Sequence, residues 1–221
     1  MSYLIKRTNV VPKFDLSWDG DVWSMADIVE LNEYREESQG HRPVVKVKVL
    51  HDARNLYGMF RVEDKYVIAV QEGFQAPVCL DSCVEFFFKP SVGKGYFNLE
   101  ISASAAYLMT YIRDHRRTED GFEDYTKISA AHGALVKVKT SLQPRVFPEI
   151  AEPLTWYAQF QVPMEALEPY CGKIPSLDGV TWKGNFFKCA DECSHPHWLT
   201  WKPLTALNYH LPECFGTLEL Q

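Results

Sequence analysis

Over residues 44–50 the chain alternates valine with lysine: Val45, Val47 and Val49 fall on one side of an extended backbone, Lys46 and Lys48 on the other. Only a period of two brings those valines together, so the segment reads as a half-buried antiparallel strand. His51-Asp52-Ala53-Arg54-Asn55 then reads as a turn, and residues 56–62 as the return strand of a hairpin. The same reasoning predicts strands over 84–88, 96–102, 106–112, 135–139, 154–162, 180–187 and 214–220. In the strand at 154–162, Trp156, Ala158 and Phe160 share a face. Helical patterns are confined to a short stretch within 23–31 and a start after Pro163 at 164–167. The polar stretch 113–127 reads as an exposed loop. Many short strands joined by Gly- and Pro-containing turns predict an all-β fold, an antiparallel β-sandwich of immunoglobulin or jelly-roll-like kind with little helix. No repeat or linker divides the chain, so one domain over 1–221 is expected.

An aromatic fraction of 14% favours strands and aromatic-lined surfaces. The net charge of −6 argues against a nucleic-acid partner, which requires clustered Lys and Arg. No apolar run approaches the ~20 residues of a membrane helix, so no membrane partner is expected. The start, Met1-Ser2-Tyr3-Leu4-Ile5-Lys6-Arg7-Thr8, has no apolar signal core, and a cytoplasmic location is the expectation. In that compartment the six cysteines would be reduced thiols. The run Cys189-x3-Cys193-x-His195-x-His197 offers zinc-ligating atom types at a spacing unlike a standard finger, and no essential zinc is expected. Asp52, Asp64 and Asp81 raise the possibility of a structural calcium, although no EF-hand loop is present. No cofactor is expected to be required.

Between Trp182 and Trp201 the chain gathers Asn185, Lys188, Asp191, Glu192, His195, His197 and Trp198. Aromatic faces stack on the C–H face of a pyranose, and amide, ammonium and carboxylate groups hydrogen-bond its hydroxyls, so this mixture suits a sugar. Catalysis by His195 and His197 would need a nucleophile and a partner acid; no Gly-x-Ser-x-Gly, His-Glu-x-x-His or P-loop motif occurs, and loop closure by hydrogen bonding is the plainer reading.

Several blocks, in order, resemble the carbohydrate-binding module family 9-like domains, sandwiches found beside xylanases and other polysaccharide-active enzymes and also free-standing. They are Trp18-Asp19-Gly20-Asp21-Val22-Trp23, Leu56-Tyr57, Asp81-Ser82-Cys83-Val84-Glu85-Phe86-Phe87, Tyr96-Phe97-Asn98-Leu99-Glu100, Val162-Pro163, Gly184-Asn185, Trp201-Lys202-Pro203 and Phe215-Gly216. The resemblance implies non-catalytic carbohydrate binding in polysaccharide or oligosaccharide utilisation. It implies that Glu85, Asn98, Glu100, Asn185, Lys188 and Trp198 converge on one concave surface, with Asp191 and Glu192 on the outgoing loop. Trp182 is expected in the core and Trp201 in a packed block. One departure stands out: sugar-binding members carry an aromatic residue before the Asp81 block, whereas this chain has Pro77-Val78-Cys79-Leu80. Another residue must then supply that wall, or the protein is an interaction sandwich with a lapsed sugar site. A different class remains open, a glycoside hydrolase using Glu85 and Glu100 as paired carboxylates. The sequence does not settle the oligomeric state or the sugar.

Overall fold

The valine–lysine strand forms as its alternation requires, and the same rule organises a β-sandwich. The computed structural model describes residues 2–221. The strands are β1 (Tyr3–Arg7), β2 (Ile28–Leu31), β3 (Glu33–Tyr34), β4 (Val44–His51), β5 (Asn55–Asp64), β6 (Val67–Ala69), β7 (Cys83–Lys89), β8 (Tyr96–Ser102), β9 (Tyr107–Thr118), β10 (Gly121–Lys127), β11 (Lys137–Thr140), β12 (Val146–Ile150), β13 (Leu154–Pro163), β14 (Thr181–Ala190), β15 (His197–Thr200) and β16 (Gly216–Leu220). Helix is limited to single turns such as Ala130–Gly133 and Glu168–Cys171.

One sheet runs β10-β9-β8-β7-β14-β16-β1, with β15 extending the edge of β14 beyond β16; the other runs β1-β4-β5-β13-β11, with β2 beside β4. Strand β1 serves both: Tyr3 to Ile5 pair with β16, and Lys6 and Arg7 pair with β4. Facing side chains fill the interior. Val45, Val47, Val49, Phe60, Trp156, Ala158 and Phe160 come from one sheet; Phe86, Phe88, Phe97, Trp182 and Phe186 come from the other. Trp182 stacks on Phe88 with ring centroids 5.8 Å apart.

The structure adds the short strands β1, β3, β6, β12 and β15 to those read from sequence, and departs from that reading elsewhere as well. Residues 113–127 are no loop. They continue β9 and form β10, an antiparallel hairpin. Register shifts between Phe122 and Asp124 and between Asp124 and Tyr125 break the period-two pattern, so alternation could not reveal it. The stretch 23–31 holds a 3-10 turn at Trp23–Met25 and then strand β2 rather than one helix. The outer faces of both sheets are also covered. Trp18 and Trp23 pack over Leu50, Tyr57 and Met59, and Lys48, only 5% exposed, lies over the Trp18 ring and donates to the Trp18 carbonyl. On the other sheet, Leu204 and Phe215 cover Phe87 and Phe187.

Gly58 sits opposite Phe160 in the β5–β13 ladder, and a Cβ at Gly58 would lie 2.0 Å from Phe160 Cζ. The ring occupies the volume that any other residue would fill. Gly58→Ala is expected to lower unfolding free energy by about 1–3 kcal/mol, the scale of core overpacking. Urea unfolding should show part of that loss recovered by adding Phe160→Leu; no recovery would mean that the clash lies elsewhere.

Candidate functional site

The register of β7 against its neighbours builds the floor of a cleft. Glu85 pairs directly with Glu100 on β8 and with Phe187 on β14, so all three point to the outer face of the sheet. Asn98, two residues before Glu100, shares that face. Its amide donates to Glu100 Oε1 at 2.7 Å and its carbonyl accepts from the Thr110 backbone N–H at 2.7 Å, which fixes both groups. Glu85 accepts from the Cys189 thiol at 3.1 Å. Glu85 and Glu100 are 2% and 6% exposed. Burial and the neighbouring Glu100 carboxylate push Glu85 well above the usual carboxylate range, against the thiol hydrogen bond. Burial also pushes Glu100 up to about 7, partly offset by the Asn98 amide.

The cleft has a volume of about 550 Å³ and opens between loops and the β9–β10 hairpin. Trp198 stands on one side with its indole N–H donating to Asp191 Oδ1 at 2.8 Å. Burial raises the Asp191 pKa, and the indole hydrogen bond opposes it. The hairpin contributes Arg117, Phe122, Tyr125 and Lys127 to the opposite side; Tyr209 and His210 arrive from a loop. Tyr209 stacks on Phe187 at 4.2 Å and donates to the Lys188 carbonyl at 2.7 Å. Cys79 lines the cleft where the family resemblance implies an aromatic wall; Phe122, Tyr125, Tyr209 and His210 are the aromatic rings present besides Trp198.

Five of the eight residues singled out from sequence therefore meet here: Glu85, Asn98, Glu100, Asp191 and Trp198. Asn185 shares the outward face but is fully buried, with its amide donating to the Lys202 carbonyl at 3.2 Å and accepting from the Lys202 N–H at 2.9 Å. It holds the Trp201–Leu204 loop rather than the cleft. Lys188 points the opposite way, into the sandwich, because strand alternation separates it from Phe187 and Cys189. Its ammonium lies 3.5 Å from Asp64 Oδ2 and 2.7 Å from His197 Nε2. Asp64 also accepts from Trp156 and meets His41 at 2.8 Å. Burial alone would raise Asp64; Lys188, His41, His197 and Trp156 outweigh it and hold the carboxyl well below its usual range. Burial and the Lys188 charge push His197 down to about 3, leaving it neutral to accept from Lys188. Glu192 is exposed and lies outside the cleft lining, its backbone N–H bonded to the Leu80 carbonyl.

The cysteine–histidine run does not form one centre. Cys189 faces the cleft beside Trp198, His197 faces the interior, and His195 stacks on Tyr66 at 3.7 Å. The three aspartates weighed for calcium are also apart. Asp52 caps its own turn, Asp64 holds the Lys188 cluster, and Asp81 accepts from Val70 N–H and the Ser102 hydroxyl.

A sandwich carrying an aromatic and carboxylate-lined cleft on one sheet has the architecture of a ligand-binding module. The model of carbohydrate-binding family 9 matches residues 22–220, and the chain belongs to that family. A Bacteroides uniformis ATCC 8492 protein provisionally assigned to carbohydrate binding is similar in structure, with a TM-score of 0.84, 27% identity, and coverage of 100% of this chain and 99% of the other. A family 9 module from Caldicellulosiruptor kristjanssonii in complex with glucose matches with a TM-score of 0.62, 15% identity and coverage of 99% and 95%. The cellotriose complex matches with a TM-score of 0.57, 14% identity and coverage of 100% and 94%. No curated protein matches the sequence.

The carboxylate pair makes stability depend on pH. A folded-state pKa of about 7 for Glu100 lies above its unfolded value, so its protonated form is favoured by folding and that contribution fades as pH rises towards 7. Glu100→Gln removes the penalty. Its stability relative to wild type should grow by roughly 1–3 kcal/mol between about pH 4.5 and pH 8 in denaturant melts. A pH-independent difference would show that Glu100 does not titrate in this window.

Proposed function

We propose that the cleft binds a glucose unit or a short gluco-oligosaccharide without cleaving it, in the service of polysaccharide or oligosaccharide use. The observation that carries this reading is the meeting of Trp198 with Glu85, Asn98 and Glu100 around one cavity. An indole presents a flat apolar face to a pyranose, and the floor groups accept from its hydroxyls. Family membership and the glucose and cellotriose complexes of the Caldicellulosiruptor modules support the same ligand class. Phe122 and Tyr125 offer the aromatic wall that Cys79 does not.

Glycoside hydrolysis needs carboxyl groups flanking the scissile bond, one giving a proton and the other acting from the far side. Glu85 and Glu100 are a cross-strand pair standing side by side on one floor, so both lie on the same side of any occupant. Their raised pKa values follow from burial, with the Glu100 charge adding to it at Glu85 and the Asp191 charge at Glu100, which a binding floor produces as readily as a catalytic one.

Isothermal titration with glucose, cellotriose and xylotriose tests the reading. A dissociation constant of ~10⁻³–10⁻⁵ M is expected for at least one gluco-configured ligand. Trp198→Ala should weaken that binding by roughly 1–3 kcal/mol through loss of the stacking face. Absence of heat with every sugar, or release of aglycone from aryl glycosides, would each remove the proposal.

A further inference from the structure

We propose that Cys83, Glu85 and Cys189 form a binding site for a thiophilic divalent cation, with zinc as its natural representative. Cys83 and Cys189 are direct partners in the β7–β14 ladder, so both thiols rise from the same face of the sheet. Glu85, two residues beyond Cys83, rises beside them. One donor atom from each lies within 4.8 Å of the other two. A tetrahedral zinc with bonds of about 2.0–2.3 Å has ligand edges of about 3.3–3.8 Å, so modest side-chain rotation closes the set. One edge is already short: the Cys189 thiol donates to Glu85 Oε1 at 3.1 Å, placing a proton where a cation would sit.

The surroundings favour a cation there. Cys83, Glu85 and Cys189 are 0%, 2% and 2% exposed, so their donors face little competing water. The hydrogen bond from the thiol is the one formed to the Glu85 carboxylate among the described residues. Glu100 and Asp191 face the same floor, Arg117 and Lys127 lie on the hairpin side, and the Lys188 ammonium is turned into the sandwich. A divalent cation would relieve the crowding of Glu85 and Glu100 that burial enforces. Two thiolates and one carboxylate select zinc over calcium or magnesium. Glu85 and Cys189 line the cleft, which leaves a fourth position open to water or to a ligand oxygen. Loading converts two S–H groups into two S–metal bonds and releases their protons, together with any proton held by the Glu85 carboxyl, with no change of oxidation state. This site goes beyond carbohydrate binding, and its readout needs no sugar.

The test uses the full chain, reduced and freed of metal, titrated with zinc chloride against a chromophoric chelator and separately with cobalt chloride. The expected result is about one zinc per chain, release of about two to three protons per zinc in weak buffer, and a thiolate-to-cobalt charge-transfer band. Cys83→Ser and Cys189→Ser should each weaken zinc by more than about 100-fold, beyond the loss typical of a merely supporting contact. Cys193→Ser and Cys171→Ser should leave it unchanged. Failure of wild type to compete with the chelator, cobalt binding without the charge-transfer band, or an equal weakening that follows Cys171→Ser would each overturn the proposal. If the cysteine variants do not fold, as circular dichroism would show, the wild-type cobalt band and proton count decide alone.

Discussion

One buried ion pair ties the two sheets together and fixes how the functional strand is presented. Lys188 on β14 and Asp64 on β5 come from opposite sheets, are fully buried at the side chain, and meet at 3.5 Å inside the sandwich. Removing two charges from water costs several kcal/mol per ion, and their attraction offsets this only when other polar groups complete the set. Trp156, His41 and His197 do so. With Lys188 held inward, its neighbours Phe187 and Cys189 must face outward onto the cleft floor. The backbone carbonyl of Lys188 then receives the Tyr209 hydroxyl, so the residue that anchors the interior also positions a cleft aromatic. Breaking such a pair by removing one partner strands a buried charge, so its consequences would reach both the sheet packing and the cleft.

The same strand chemistry explains why the floor holds two carboxylates that water would solvate better. Phe87 and Phe187 need cover, which Leu204 and Phe215 supply, and Glu85 beside them on the same face is itself 2% exposed. Glu100 gains the Asn98 amide and Glu85 gains only a thiol. Both are left with hydrogen-bonding capacity that is largely unspent within the protein. A site of this kind retains a cost in the unliganded state that a bound donor can relieve.

Much of this was legible in sequence. The shared face of Asn98 and Glu100 follows from their separation of two, and Glu85 among phenylalanines signals a polar group held in an apolar strand for a reason. The order of the family-like blocks is matched by the family assignment over 22–220. Alternation also held a signal that the sequence reading passed over: Asn185 and Lys188 are three apart in one strand and cannot share a face. The β9–β10 wall was hidden for a different reason. Its register shifts displace Phe122 and Tyr125 from any regular period, and a hairpin lining a polar cleft has no need of an apolar stripe. Tyr209 and His210 come from an irregular loop, where no periodicity exists to be read; only the fold brings them to the floor.

The distribution of charge across the cleft narrows what fits it. Carboxylates occupy the floor, and Arg117 and Lys127 occupy the hairpin side. Burial raises the pKa values of Glu85 and Glu100, so the floor presents carboxyl groups able to donate as well as accept rather than a fixed negative charge. A hydroxyl both donates and accepts, so a neutral polyol can give hydrogen bonds to the floor and receive them from the hairpin without a net charge being transferred from water. Its C–H face still meets Trp198. A metal held by Cys83, Glu85 and Cys189 would preserve this logic, because an oxygen-rich neutral ligand is also what an open zinc position accepts. The arrangement thus favours a hydroxyl-bearing ligand through matched donor and acceptor surfaces rather than through net charge.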